Sequence, residues 1–475
     1  MKIIKKFFDI FYQNKLITFF LIGVLSTFNS PFLFLHNFEN FSLYSVFIIY
    51  QYILPPIIFL ISIFYIYKLN YLKDLISYKK YFILKLLFLL NLIQVFGVFF
   101  NNLDYFTPIH ENSSQALPKV LLDWKSTYTR IIFIINNFNI ILITFLCLKN
   151  KKLEFNLIFL IGFFLTLSFY YCLKILIDFT NIDYVINFYG TGVLQLGSST
   201  LNYTNPRPTG LARIILLISI FFMMLYLFNK NKYIKKKIIR YIIFLLIIFL
   251  NFFVIHLQSR TSSYFLFLLP FFFLFFFYFY KTKNFFFIIT LLIIIPFLLS
   301  QLTFFYKLNL IEKRIRTDNS QNELIISQQI NNYIKAGNRV IYNNTTSGRI
   351  ETWSQILKSY NEIPILGYGV LGDKFAYSVS ASNIFLYFLV SAGVVGFLTI
   401  LLFNFYILKN IFYLLISRKI FRTNNAIFYI SFFFVVFFLF RSLVENSYGQ
   451  FGIDFIFFVP SYLIFESYLK KFKII

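Results

Sequence analysis

Apolar residues fill one helix-length window after another along the chain, broken by short polar segments rich in lysine, asparagine, serine and glycine. Stretches of about 20 apolar residues match the thickness of a bilayer's hydrocarbon core, and no water-soluble core could absorb so many of them. The pattern predicts twelve spans, near 16–36, 45–67, 82–100, 131–149, 157–177, 211–229, 238–257, 262–280, 284–301, 384–408, 426–441 and 453–469. Residues 410–417 are a candidate broken or re-entrant piece, which would make the count eleven or thirteen. The expected fold is therefore all-α, a polytopic membrane protein of about twelve transmembrane helices forming one domain over 1–475. Pro55 and Pro56 are expected to kink the second span. Asn91, Gln94, Asn136, Asn137 and Asn139 lie inside spans and are expected to hold helices together by hydrogen bonds.

The loops set the orientation. Twelve alternating spans place 27 of the 44 lysines and arginines on one side, including Lys2, Lys5, Lys6, Lys79, Lys80, the run from Lys230 to Arg240, and Lys470, Lys471 and Lys473. Such a bias marks the cytoplasmic face and puts both termini there. MKIIKK with its apolar continuation resembles a signal peptide, but no small-residue cleavage site follows, and it is read as an uncleaved first span. The opposite face receives polar loops near 101–130 and 178–210 and a large one at 302–383, the length at which a loop is usually functional.

Composition sharpens this picture without changing it. Hydrophobic residues make up 59% of the chain and charged residues 13%. The formal net charge of +26 would suggest a nucleic-acid partner in a soluble protein. Here the basic residues sit between apolar spans as orientation signals, so no nucleic acid is expected. Cys147 and Cys172 both fall in apolar segments and make neither a disulfide framework nor a metal site. His36, His110 and His256 are scattered, and each is read as a satisfied polar residue rather than a ligand. The chain has no GxxxxGK phosphate loop and no paired-aspartate or Cys/His metal motif, so neither a cofactor nor a metal is expected.

The candidate chemistry is on the outer face. Arg207 and Arg213 in PRPTGLAR, Arg260 in HLQSRTSS, Arg349 in SGRIETW and Arg441 in RSLVENS stand at span ends where topology does not call for positive charge. A guanidinium fork grips phosphate through two bonds and keeps its charge, so the set reads as an anion site. Any one of these arginines could instead snorkel from its helix end to loop carbonyls. The spacing of Ile350, Trp353, Ile356, Leu357 and Tyr360 predicts a helix starting at Arg349 and closed by Pro364. Trp353 and Tyr360 suit a helix in the headgroup zone. Gly367 and Gly369 are expected to turn the chain sharply back toward the tenth span. Glu445 and Asp454 flank the last outer loop beside Arg441. An ion pair with Arg441 is the plainer reading of these carboxylates, and Glu445 or Glu351 as a proton acceptor the sharper one.

In order and spacing, RPTGLAR, SRTSS, SGRIETW, PILGYG and ASNIFLYFLVSAGVVG resemble the shared domain of bacterial O-antigen ligases and O-antigen polymerases. The resemblance covers about 200–450. It implies a C-type glycosyltransferase-like architecture with a large periplasmic loop, acting without a metal and with inversion on sugars linked to undecaprenyl diphosphate at the outer face of the bacterial inner membrane. The family's diphosphate-binding arginines then correspond to Arg207 (Arg213 being the second choice), Arg260 and Arg349, with Arg260 and Arg349 expected to serve catalysis. Trp353, Pro364, Gly367, Gly369, Ser382 and Asn383 belong to the loop motif. Family ligases carry His-Asn where this chain has Ser382-Asn383, and serine alone is a poor base.

The expected function is polymerisation of lipid-linked oligosaccharide repeat units into surface polysaccharide, with membrane lipids and a chain-length regulator as further partners. A ligase that moves finished glycan onto lipid A core or another acceptor is the near alternative. A flippase for the same lipid-linked sugars is the alternative of another class. Transporters favour internal repeats and charges at mid-membrane, whereas ionisable groups here avoid the span centres, Lys174 excepted.

Overall fold

The computed structural model describes residues 53–73, 82–100, 124–149, 208–228, 237–257, 259–277, 283–317, 349–377, 380–417, 426–449 and 452–472. Among these residues there are helices and turns and no strand. In chain order the helices are α1 (Leu54–Lys68), α2 (Phe82–Phe100), α3 (Trp124–Lys149), α4 (Pro208–Phe228), α5 (Lys237–His256), α6 (Arg260–Phe277) and α7 (Lys283–Thr317). They continue with α8 (Arg349–Lys358), α9 (Gly372–Tyr377), α10 (Ile384–Ser417), α11 (Ala426–Ser442) and α12 (Ile453–Lys471). Four of them, α2, α10, residues 210–228 of α4 and residues 238–256 of α5, are long and apolar enough to cross a membrane.

Most expected spans coincide with a helix, α2 to the residue; those at 16–36 and 157–177 lie outside the described residues. Three boundaries differ. Helix α3 begins at Trp124 rather than near 131, which takes Arg130 out of the expected loop and into the helix. Helix α7 runs on to Thr317 rather than ending near 301, because 302–317 contains neither proline nor glycine to stop it. Residues 410–417 continue α10 as helix. Pro55 and Pro56 stand in the first turn of α1, where a missing N–H leaves no bond unmade.

The chain divides into two compact units. The first comprises Met1–Ile158, Thr346–Ser417 and Phe434–Ile475, and so contains α1–α3, α8–α10, the C-terminal half of α11 and α12. Its core surrounds α12, whose residues from Phe455 to Phe465 are buried almost without interruption. The Tyr448 ring stacks on Phe458 at 4.0 Å, and Phe403 of α10 packs against both. Four of the five polar residues expected to join helices, Asn91, Gln94, Asn137 and Asn139, do so. Asn137 of α3 donates to Asn91 of α2 at 2.7 Å, Asn139 of α3 to the Pro55 carbonyl of α1 at 2.9 Å, and Gln94 of α2 to the Ser391 hydroxyl of α10 at 3.0 Å.

The second unit comprises Phe159–Thr345 and Arg418–Phe433, and so contains α4–α7 and the start of α11. Asn251, fully buried on α5, ties three helices together: it accepts from Ser219 of α4 and donates to the Leu292 carbonyl of α7 at 2.8 Å. Along α5, Ile238, Tyr241, Ile242, Leu245 and Phe249 form an exposed apolar stripe at helical spacing. A contiguous apolar face of this kind belongs against lipid rather than water.

Candidate functional site

In the first unit the expected loop helix is present as α8, with Arg349 as its first residue and Glu351 in its first turn. The Arg349 guanidinium meets Glu445 at 2.7 Å, across 96 residues of sequence. Arg441, at the end of α11, lies 3.1 Å from Asp454 in the first turn of α12 and 3.9 Å from the second oxygen of Glu445. The four side chains thus form one alternating network. Asp454 is the plain partner of Arg441, but the nearer partner of Glu445 is Arg349, which the sequence reading did not pair with it.

Further bonds tie α8, α9 and the Glu445 turn to the start of α10. The Trp353 indole donates to the Ala381 carbonyl at 2.8 Å. The Ala381 N–H donates to Asp373 of α9 at 2.9 Å. Asn383 accepts from the N–H groups of Phe385 and Leu386 at 2.9 and 3.2 Å, capping α10, and donates to the Leu443 carbonyl at 2.8 Å. Between Ala381 and Asn383, Ser382 has φ 47, a left-handed backbone that few non-glycine residues adopt. Segment 381–383 is therefore a hub that fixes the helix carrying Arg349 and the turn carrying Glu445 at the same time. The full burial of Asp373 pushes its carboxyl above the ordinary carboxylate range.

PILGYG does more than turn. Gly367 and Gly369 both have positive φ, 67 and 80, as a sharp return requires. The loop they form docks on a break in α10, where Gly393 has φ 63 and ψ −162. A continuous helix would offer the carbonyls of Val390 and Ser391 to residues 394 and 395. Here they accept from Tyr368 and Gly369 of the loop, at 2.8 and 2.9 Å. On its other side the loop lies against Gly97 of α2, where a β-carbon would come within 2.6 Å of the Gly369 nitrogen. Arg130 of α3, 2% exposed, donates to the carbonyls of Val370 (2.9 Å) and Tyr368. Irregular backbone wedged between apolar helices survives only where protein groups satisfy it, and these bonds do so.

The remaining candidates belong to the second unit. Arg260 is the first residue of α6, in a turn whose Ser259, Ser262 and Ser263 are buried; Ser263 donates to the Val254 carbonyl of α5 at 3.4 Å. Arg213 is partly buried on α4 and reaches back toward Gly210. Arg207 lies outside the described residues. His256 ends α5 and stacks on Phe252 at 5.4 Å.

Arg130, Asp373 and the Gly393 break escaped the sequence reading. Arg130 sits beside a polar stretch and reads as a loop residue, and Asp373 stands alone in no recognisable pattern. Gly393 was visible only as one of a glycine pair.

No characterised protein and no solved structure matches the chain. Residues 243–401 match the family model described as O-antigen ligase. This is narrower than the 200–450 expected, and it takes in Arg260, Arg349, Trp353, PILGYG and Ser382-Asn383. The apolar helices mark an integral membrane protein, and its residues 243–401 are similar to the O-antigen ligase family of membrane glycosyl-transferring enzymes.

Proposed function

We propose that the protein polymerises undecaprenyl-diphosphate-linked repeat units at the outer face of the bacterial inner membrane, with both termini cytoplasmic. The observation that favours polymerase over ligase is the Ser382-Asn383 pair. Where the resemblance leads one to expect an imidazole base, a serine stands in a constrained left-handed backbone, and the asparagine beside it is committed to capping α10. Polymerases of the family are the more varied members and fit this departure better.

In this reading a sugar hydroxyl of one unit attacks the anomeric carbon of the other, with inversion and without a metal. Diphosphate is already a good leaving group, so catalysis can rest on neutralising its developing charge and aligning the acceptor. In the first unit Arg349 is the proposed diphosphate ligand, with Arg441 adding positive charge beside it; in the second unit Arg260, with Arg207 or Arg213, is proposed as anion-binding in its own right. Trp353 and Asn383 position Arg349 and the turn bearing Glu445.

Gene deletion followed by gel analysis of the surface polysaccharide tests the assignment. Loss of a polymerase leaves a single repeat unit on the core, whereas loss of a ligase leaves the core bare. Complementation with Arg260→Ala or Arg349→Ala should fail to restore the ladder. A normal ladder from both variants would overturn the site.

A further inference from the structure

The network that holds Arg349 raises a difficulty for any anionic substrate, because a carboxylate already occupies the guanidinium. We propose that Glu445 is a displaceable internal counter-anion: the substrate's diphosphate takes its place on Arg349, and the freed carboxylate then accepts the proton of the acceptor hydroxyl. This inference rests on the proposed glycosyl-transfer reading.

The two ion pairs of the network are unequal, which identifies the one able to open. Arg441 and Asp454 are 13% and 4% exposed at their side chains, sealed between the ends of α11 and α12. Breaking that pair would strand a buried charge. Arg349 and Glu445 are 24% and 28% exposed, so solvent and ligand reach both. An exposed pair contributes little net stability and exchanges its partner readily. Diphosphate brings more charge and more acceptor oxygens than a carboxylate and is the stronger ligand for a guanidinium.

The geometry also retains Glu445 after the exchange. Its second oxygen lies 3.9 Å from Arg441, and its turn is bonded to Asn383 through Leu443. The carboxylate therefore remains next to Arg349 with the oxygen that had faced the guanidinium open. In the transfer, the acceptor oxygen forms its bond to the anomeric carbon as the bond from that carbon to the diphosphate oxygen breaks. The electron pair leaves with the diphosphate, held by Arg349, and the proton passes from the acceptor hydroxyl to Glu445 and then to water.

The test uses the full-length protein in lipid nanodiscs, with inorganic pyrophosphate as the binding probe and lipid-linked repeat units as the substrate. In Glu445→Gln the competing charge is gone, so pyrophosphate should bind several-fold more tightly than to the wild type, while kcat falls about 10²-fold or more with KM unchanged or lower. Glu445→Asp shortens the carboxylate and keeps a base; it should also tighten binding, with a much smaller fall in kcat. Arg349→Ala should abolish the binding gain in both backgrounds. Weaker binding in Glu445→Gln and Glu445→Asp alike, or kcat unchanged in Glu445→Gln, would overturn the exchange. Pyrophosphate binding that is indifferent to Arg349→Ala would instead remove the diphosphate site on which the proposed function rests.

Discussion

Gly393 and Ile365 meet backbone to backbone across the break in α10, and a β-carbon on Gly393 would overlap the Ile365 carbonyl oxygen. The conformation at Gly393, φ 63 and ψ −162, is one that only glycine adopts without strain. The break depends on this residue twice over, for its dihedral angles and for the space that PILGYG occupies. Gly393→Ala should therefore destabilise the protein by several kcal/mol, combining backbone strain of about 1–3 kcal/mol with the steric displacement. Thermal unfolding of the detergent-purified variant, followed by tryptophan fluorescence, checks it. An unchanged melting temperature would mean that the loop does not dock at the break.

The Trp353 indole ties α8 to the hub at Ala381, and its effect on Arg349 is separable from its bulk. Trp353→Phe keeps an aromatic ring and leaves the Ala381 carbonyl without its indole donor. Stability should fall by about 1 kcal/mol, the usual net worth of one such bond. Transfer activity should fall further than stability explains, because α8 carries Arg349. Comparing ladder formation with melting temperature separates the two effects.

Asp373 gives the fold a pH dependence whose sign follows from its burial. Its carboxyl titrates above the ordinary value of 3.8, so the folded state binds the proton more tightly than the unfolded chain. Its contribution is most favourable below the unfolded value and is lost as pH rises through the folded one. Asp373→Asn keeps an oxygen acceptor for the Ala381 N–H and cannot ionise. Melting curves should show the wild type losing stability relative to Asp373→Asn as pH rises above about 4. Asp373→Leu, which removes the acceptor, should be destabilised by about 1–3 kcal/mol at every pH.

The helices were legible because hydrophobic periodicity is local. Each span announces itself within its own 20 residues, and α2 was placed to the residue. Gly367 and Gly369 were legible as turn formers because only glycine enters that backbone region freely. The polar glue at Asn91, Gln94, Asn137 and Asn139 was legible because an amide inside an apolar span has few other uses. What could not be read was partnership over long separations. Nothing near Arg349 points to Glu445, and nothing near Arg130 says that its fork serves the carbonyls of Tyr368 and Val370 some 240 residues on. Residue type limits what a side chain can do, and only the fold chooses the group it does it with.

Arg130 allows the most direct check of how PILGYG is held. Its guanidinium donates from two different nitrogens to two successive parts of one loop, a geometry that a single ammonium cannot reproduce. Arg130→Lys should keep the charge but lose one of the two bonds, and hydrogen bonds from a charged donor are worth about 1.5–3 kcal/mol each. Arg130→Met removes both donors while preserving much of the apolar stem, leaving two carbonyls to find other partners among α2, α3 and α10. Stability should decrease from wild type to lysine to methionine, and resistance of the 364–372 segment to proteolysis or hydrogen exchange should decrease in the same order. If lysine behaves like arginine, the second bond of the fork contributes nothing to holding the loop.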